Sequence, residues 1–417
     1  MSTNEITIYV YMDITADLPV LVGRLYVNDN RGKEFFAFEY NKDWISAGQS
    51  SSIFDPDLTL YEGRQYVPSD KPLFGMFSDS CPDRWGRVLM KRREEYYARH
   101  EARKPKKLTE SDYLLGVYDE TRMGALRFSL DENGPFLSSD STLAAPPWVK
   151  LRTLESASLA FEKDENGAEE KWLYQLLAPG SSLGGARPKA SIQASDDSLW
   201  IAKFPSKHDE WDTGAWEMVV HDLAAMCNLN VPEAKVERFS DTGSTFLVKR
   251  FDRAGIRRIH FTSAMTLLGR TDGSSDVGYL DIASFIKSNG ATIKKDLREL
   301  WKRVVFNMAV SNTDDHLRNH GFLLSDSGWT LSPLYDVNPN IYGDSLSLNV
   351  SSDDNSISFD LAIETAEYYD IDSSEAKIII ENVQSVVSDN LNTLAVNYGL
   401  SRSAITRMSP AFDISQK

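Results

Sequence analysis

Cysteine is nearly absent from this chain of 417 residues. Its two copies, Cys81 and Cys227, lie too far apart for a CxxC motif. A disulfide scaffold and a cysteine-rich zinc site are thereby excluded, and a reducing compartment, the cytoplasm, is predicted. Histidine is scarce as well, with six copies in all. Long apolar runs are missing: no stretch reaches membrane-spanning length, so no membrane partner is expected. The opening MSTNEITIYVYMD also lacks the charged-then-apolar layout of a signal peptide. Net positive charge is missing too. At −16, the surface as a whole does not suit a nucleic-acid binder, which needs a basic face, and no helix-turn-helix pattern is evident.

What is present is length and pattern. A chain this long predicts two or three domains. The first block, residues 1–135, opens with strand-like alternation at 6–12 and 21–28. A helical stretch follows with ten Lys or Arg between Arg84 and Lys107 against three glutamates. It reads as a solvated helix whose apolar side, with Trp85, Val88 and Leu89, packs inward. Residues 116–129 return to strand-like composition, and a Ser-, Pro- and Gly-rich crossing leads into the second block, 136–255. The third block, 256–417, is mostly helical in pattern.

The second block carries the loop SSLGGARPK, where Ser181, Ser182, Gly184 and Gly185 give a small-residue turn that can point N–H groups at phosphate oxygens. The pattern is not GxxxxGK[ST], and a strand follows rather than a helix, which disfavours a P-loop. KASIQA and SLWIAKF read as two strands joined at Asp196-Asp197. Alternation puts Lys203 on the face of Leu199 and Ile201, where an ammonium group needs a partner. Glu217 lies near the start of the helical stretch GAWEMVVHDLAAMCNL. A glycine loop, a strand lysine and a helix glutamate follow the order of protein-kinase N-lobes, in which the Lys–Glu pair serves the ATP phosphates. STFLVKRFDR then reads as a strand leaving that lobe in the manner of a hinge, whose backbone would bind the adenine edge.

In the third block, DLRELWKRVVFNMA shows the apolar stripe of a buried helix and ends in the polar SNTDDH. Asp314 and Asn319 have the spacing of the Asp and Asn in the kinase motif H-R-D-x-x-x-x-N. One carboxylate must meet the attacking hydroxyl while an amide on the same loop reaches the metal. GFLL, DSG and WTLSPLYD form a hairpin that returns Asp336 to the same place, in the position of the kinase metal-binding Asp. A metal-dependent phosphohydrolase using Asp314, Asp315, His316 and His320 is the rival from these residues, but no second ligand cluster accompanies them.

The stretches DSCPDRWGR, TRMGALRF, SSLGGARPK, IAKFPS, VKRFDR, NTDDHLRNHGFLL and LSPLYDV together resemble the HipA-type serine/threonine kinases, toxins of bacterial HipA–HipB toxin–antitoxin pairs. The resemblance implies an α+β, two-lobed protein-kinase-like fold with an N-terminal α/β extension on the N-lobe and a mostly helical C-lobe. It implies phosphorylation of a protein, such as an aminoacyl-tRNA synthetase or another translation factor, with ATP and Mg2+ as cofactors and growth inhibition as the outcome. A HipB-like antitoxin is the implied partner, with DNA reached only through it. By position, Asp314 is implied as catalytic, and Asn319 and Asp336 as magnesium ligands. The implied ATP-binding residues are Ser182, Leu183, Gly184, Gly185, Ala186, Lys203, Glu217, Lys249, Phe251, His316 and Asn319, with Ser182 as the site of autophosphorylation. The alternative is a catalytically weak kinase-fold protein acting in a complex with an antitoxin. One departure is Asp315, where the best-known member has glycine. A second carboxylate beside the base is expected to raise the pKa of that base or recruit more metal.

Overall fold

The computed structural model describes residues 5–14, 18–30, 32–46, 54–138, 145–163, 176, 187–274, 276–413, 415 and 417. By contacts the chain divides into two units, Met1–Ala202 with Arg250–Thr262, and Lys203–Lys249 with Ser263–Lys417.

In the first unit, alternation at the start of the chain yields β1 (Glu5–Met12), β2 (Val20–Asn30) and β3 (Lys33–Tyr40), paired antiparallel in sequence order. After a short helix α1 (Lys42–Ser46), β4 (Gln65–Tyr66) adds to β3, and β5 (Leu126–Ser129) adds to the free side of β1. One sheet face is apolar: Ile8, Val10, Leu25, Phe38 and Phe128 are fully buried or nearly so. Phe77, on α2 (Gly75–Ser78), stacks between Phe38 and Phe128 at ring-centroid distances of 5.5 and 6.0 Å.

The basic stretch forms α3 (Arg84–His100), capped by the Asp83 carboxylate on Gly86 N–H. Trp85 and Leu89 face inward as expected, but Val88 is exposed, because the buried stripe runs through Trp85, Gly86, Leu89 and Met90 and leaves Val88 at its edge. Much of the basic charge is paired. Arg87 meets Glu110 on α4 (Glu110–Leu115), Arg103 meets Glu94 and Glu101, and Lys106 meets Asp112. The unit continues with α5 (Leu151–Lys163), β6 (Lys189–Gln193) and β7 (Leu199–Lys203), the last two turning through Asp197 in a left-handed conformation.

Two of the quoted motifs meet in this unit. Asp252, fully buried, accepts hydrogen bonds from Arg250 (2.6 and 2.9 Å), Arg253 (2.6 Å) and the Gly124 N–H (2.8 Å). Arg250 also donates to the carbonyls of Thr121 and Arg122, and Arg253 to that of Arg122. Gly124 is required there: its φ is 73°, and a Cβ would come within 2.9 Å of the Phe261 nitrogen. TRMGALRF therefore supplies the backbone groups that hold the buried ion cluster of VKRFDR. Burial alone would push the Asp252 carboxyl up, but Arg250 and Arg253 hold it well below the usual carboxylate range. Beyond it lie β10 (Arg253–Ala254), β11 (Arg257–Arg258) and β12 (Phe261–Ser263).

The second unit begins with α6 (Thr213–Met226), whose cap Asp212 accepts from Ala215 N–H and also from the backbone and hydroxyl of Ser244. β8 (Ala234–Glu237) and β9 (Thr245–Lys249) form an antiparallel hairpin beside it. The helices α7 (Ala264–Leu267), α8 (Tyr279–Asn289) and α9 (Ile293–Ala309) follow. The stripe Leu297, Leu300, Trp301, Val304, Val305 and Met308 is buried as its spacing predicts. β13 (Gly321–Ser325) and β14 (Gly328–Leu331) pair in a hairpin, and α10 (Phe359–Thr365), α11 (Ser373–Asn397) and α12 (Arg402–Met408) complete the unit. No helix among the described residues is long and apolar enough to cross a membrane.

Replacing Asp252 with Asn should destabilise the first unit by about 3 kcal/mol or more at neutral pH, since buried guanidinium charge loses its counterion. The depressed carboxyl contributes stability that is present above its unfolded value near pH 4 and is lost as pH falls below it. Urea titration, with hydrogen exchange followed at residues 119–128, should show wild type and Asp252→Asn far apart at pH 7 and converging below about pH 4. A gap that does not depend on pH would contradict this account of the cluster.

Candidate active site

Lys203 ends β7, and its ammonium group is largely shielded from solvent, with a side-chain exposure of 12%. It is doubly paired, to Glu217 Oε1 at 2.5 Å and to Asp336 Oδ1 at 2.7 Å. Burial works against the charge, but Asp336 and Glu217 outweigh it and lift the lysine above its ordinary value, so it stays protonated. Glu217 is 4% exposed, held one turn into α6. The lysine on the apolar face thus has the partner that its position demands, and a second one 133 residues away in sequence.

Asp336 reaches the lysine from the segment after β14. Its backbone is left-handed, with φ 60°, a conformation that costs a non-glycine residue about 1 kcal/mol or more. The segment is fixed on both sides of it. The Tyr335 hydroxyl donates to the Arg318 carbonyl at 2.6 Å, and the Asn338 N–H donates to Asn312 Oδ1 at 3.2 Å. These two bonds bring the Asp336 segment against the 311–320 loop.

That loop leaves the C-terminal end of α9. Asp314 is exposed, while Asp315, Asn319 and His320 are buried and His316 is half-buried. The Asn319 amide donates to the Asp314 carbonyl at 3.2 Å. Its Oδ1 is buried with no hydrogen-bond partner among the described residues, and such an orphaned acceptor suits a metal ligand. Asn319 and Asp336 offer oxygen donors of the type that would hold a magnesium ion. Among the described residues no group of three His, Cys, Asp or Glu could hold a metal unaided. The four-residue phosphohydrolase cluster is not assembled.

Asp315 faces inward. Its Oδ2 accepts from Tyr279 OH (2.7 Å), Asn307 Nδ2 (2.8 Å) and His320 Nε2 (2.8 Å). Burial pushes its carboxyl up, yet the His320 contact and the Tyr279 bond leave it below its ordinary value. Its charge is thus met by three donors inside the fold, a balance that the expected effect on the base's pKa or on metal recruitment did not include. Tyr279 and Asn307 escaped the sequence reading. A polar Asn307 inside the apolar stripe of α9 was the signal available for one of them.

The remaining implied residues are placed separately. Lys249 is half-buried and lies 3.5 Å from Glu233, and Phe251 packs on Phe261 with ring centroids 6.0 Å apart. Ser182, Leu183, Gly184, Gly185 and Ala186 lie outside the described residues.

Comparison with known proteins decides the family. Residues 181–391 match the model described as the HipA-like C-terminal domain. The chain belongs to the HipA family. Two proteins of Sinorhizobium fredii are related, the "Putative kinase Y4mE" at 32% identity over 182 residues and the "Putative kinase Y4dM" at 27% over 192 residues. The alignments cover 37% and 43% of this chain and 41% and 42% of those proteins, so the chain spans about two fifths of the length of these relatives. The fold is similar to that of a solved chain from the Shewanella oneidensis MR-1 toxin–antitoxin complex of HipA, HipB and operator DNA. The TM-score is 0.68 at 16% identity, over 97% of this chain and 96% of that one, a likeness that shows the HipA fold of mixed α and β elements.

Removing the ammonium group with Lys203→Met should leave two shielded carboxylates without a counterion and cost about 3 kcal/mol or more. Glu217→Gln in the same background should recover part of that loss, because without the lysine the repulsion between Glu217 and Asp336 is no longer offset. Urea unfolding of the two single variants and the double variant measures the coupling. Additive losses would mean that the ion triad is not an energetic unit.

Proposed function

We propose that this HipA-family chain is a protein serine/threonine kinase that uses Mg·ATP, and that its two-lobed architecture is the one the sequence implies. In that reading 1–135 is an N-terminal extension, 136–255 the N-lobe and 256–417 the C-lobe. The observation that carries it is the junction of Lys203 with Glu217 and Asp336, beside a loop that offers Asp314 to solvent and an unpartnered Asn319 oxygen. These are the phosphate-binding, metal-binding and hydroxyl-orienting groups of phosphoryl transfer, in kinase order along the chain.

Each residue has a role that its environment supports. Lys203, kept charged by two carboxylates, binds phosphate oxygens when nucleotide is present, with Glu217 holding it in place. Asp336 and Asn319 Oδ1 would hold Mg2+, which neutralises charge between the phosphates when bound. Asp314, exposed and therefore reachable by a protein substrate, orients the attacking serine hydroxyl and accepts its proton. The resemblance adds His316, Lys249, Phe251 and residues 182–186 as proposed nucleotide-binding residues, and Ser182 as the proposed site of self-modification. Phosphate there would add about −1.5 to −2 charge and oppose binding of the anionic nucleotide.

The family and the fold support a toxin role with a HipB-like antitoxin as partner, and any DNA would be reached through that partner. The proposed substrate class is a translation protein, such as an aminoacyl-tRNA synthetase, whose modification arrests growth.

ADP release and phosphoprotein formation with Mg·ATP test the reading. Wild type should show both, with phosphate recovered at Ser182 or Ser181. Asp314→Asn should lose transfer by roughly 100-fold or more while binding ATP nearly as wild type does. Asp336→Asn should weaken Mg·ATP binding itself, because one metal-ligand charge is gone. Equal loss of nucleotide affinity in both variants would contradict the roles assigned, and wild-type protein without transfer would contradict the activity.

A further inference from the structure

The three buried donors around Asp315, on Tyr279, Asn307 and His320, are not needed for any step above. They nevertheless converge on one carboxylate oxygen directly behind the proposed catalytic loop. We propose that Asp315 and His320 form an internal clip, anchored by Tyr279 and Asn307, that sets the relative placement of Asp314 and Asn319. Both would then be positioning residues for phosphoryl transfer. The inference rests on the kinase reading of the site.

The clip ends are the immediate neighbours of the two working residues: Asp315 follows Asp314, and His320 follows Asn319. A 2.8 Å bond between Asp315 Oδ2 and His320 Nε2 therefore closes the loop one residue behind each functional side chain. A carboxylate can only accept, so the imidazole must carry its proton on Nε2 and donate. The Asn319 amide bond to the Asp314 carbonyl runs alongside as a second cross-tie. Its direction leaves Oδ1 of Asn319 as the end without a partner.

The anchors hold the clip to rigid elements. Tyr279 is the first residue of α8, and its N–H is tied to the Asn349 carbonyl at 2.9 Å. Asn307 sits in the last turn of α9, the helix from which the loop emerges, and its Oδ1 accepts from Asn312 Nδ2 at 3.1 Å. The His320 carbonyl accepts from Ala264 N–H at 2.7 Å, at the start of α7. Three helices thereby fix a loop that has only one short turn of its own, Leu317–Asn319. Tyr279, Asn307 and His320 are fully buried and Asp315 is 2% exposed, so water does not compete for these bonds. The hydroxyl, amide and imidazole all spend a donor on the same oxygen, an arrangement that stabilises one loop geometry rather than a set of them.

A clip of this kind acts on the geometry of transfer and of metal binding more than on nucleotide affinity. Displacing a reacting group by about an ångström costs on the order of 100-fold in rate. The test compares wild type with Asp315→Asn, His320→Gln and Tyr279→Phe, and with Ile380→Val as a buried apolar control on α11, outside the Asp315 hydrogen-bond network. ADP release from Mg·ATP gives kcat, the KM for ATP and the Mg2+ concentration of half-activation. Nucleotide binding without Mg2+ and thermal melting are measured alongside.

Asp315→Asn and His320→Gln should lower kcat by roughly 10-fold to 100-fold and raise the Mg2+ requirement, with metal-free nucleotide binding near wild type. Tyr279→Phe, which removes one bond and keeps the ring, should do the same to a smaller extent and remains informative if the others fold poorly. Ile380→Val should lower the melting temperature without moving kcat or the Mg2+ midpoint. If Tyr279→Phe and the folded clip variants lose thermal stability but keep wild-type kcat and Mg2+ midpoint, the network is structural only and the proposal is overturned. Wild-type protein that releases no ADP would instead overturn the kinase reading on which the clip depends.

Discussion

One ammonium group connects the parts of the proposed active site. Lys203 is shielded enough that its charge needs compensation, and two carboxylates from distant parts of the chain provide it. Glu217 comes from α6 and Asp336 from beyond the β13–β14 hairpin, so the pairing fixes helix, strand end and the Asp336 segment against one another. The attraction also helps to offset an unfavourable backbone, since Asp336 occupies the left-handed region. In the proposed chemistry the same lysine exchanges a carboxylate for phosphate oxygens, while Asp336 turns from counterion to metal ligand. A site poised in this way keeps its charges balanced both with and without nucleotide.

The legible part of this architecture is the part with periodicity or fixed spacing. The stripe of α9, the two strands that meet at Asp197, and the hairpin that carries Asp336 all followed from apolar spacing and turn residues. The Lys203 partner was demanded by alternation alone, because an ammonium on an apolar strand face cannot stand unpaired. Less legible was anything that depends on which way a side chain turns from an irregular loop. Asp314 and Asp315 are identical in sequence terms, yet one is exposed and the other accepts three buried hydrogen bonds. Tyr279, 36 residues earlier than Asp315, has no local pattern to announce their contact. Val88 shows the same limit on a smaller scale, since a few tens of degrees around α3 separate the buried stripe from solvent.

The buried polar clusters do different work in the two units. In the first, Asp252 with Arg250 and Arg253 joins two sequence motifs that are 128 residues apart at the Asp252–Gly124 bond. Its constituents are charged, so removing one partner leaves a buried ion and a large cost. In the second, Asp315 with Tyr279, Asn307 and His320 ties a catalytic-type loop to the helices around it. The residue pattern there, a proposed site residue followed at once by an inward anchor, repeats at Asp314-Asp315 and at Asn319-His320. That repetition explains why a second carboxylate can follow the proposed base without adding a free charge to the site.

In the proposed function the metal would be held jointly by Asp336, Asn319 and the phosphates, since among the described residues no group of three His, Cys, Asp or Glu could hold one unaided. Electron paramagnetic resonance of Mn2+ titrated into the protein, with and without ATP, tests this directly. The account predicts weak Mn2+ binding to the protein alone, a tight ternary complex with ATP, and loss of that complex in Asp336→Asn. Mn2+ binding that is equally tight without nucleotide, or a ternary complex that survives Asp336→Asn unchanged, would contradict it.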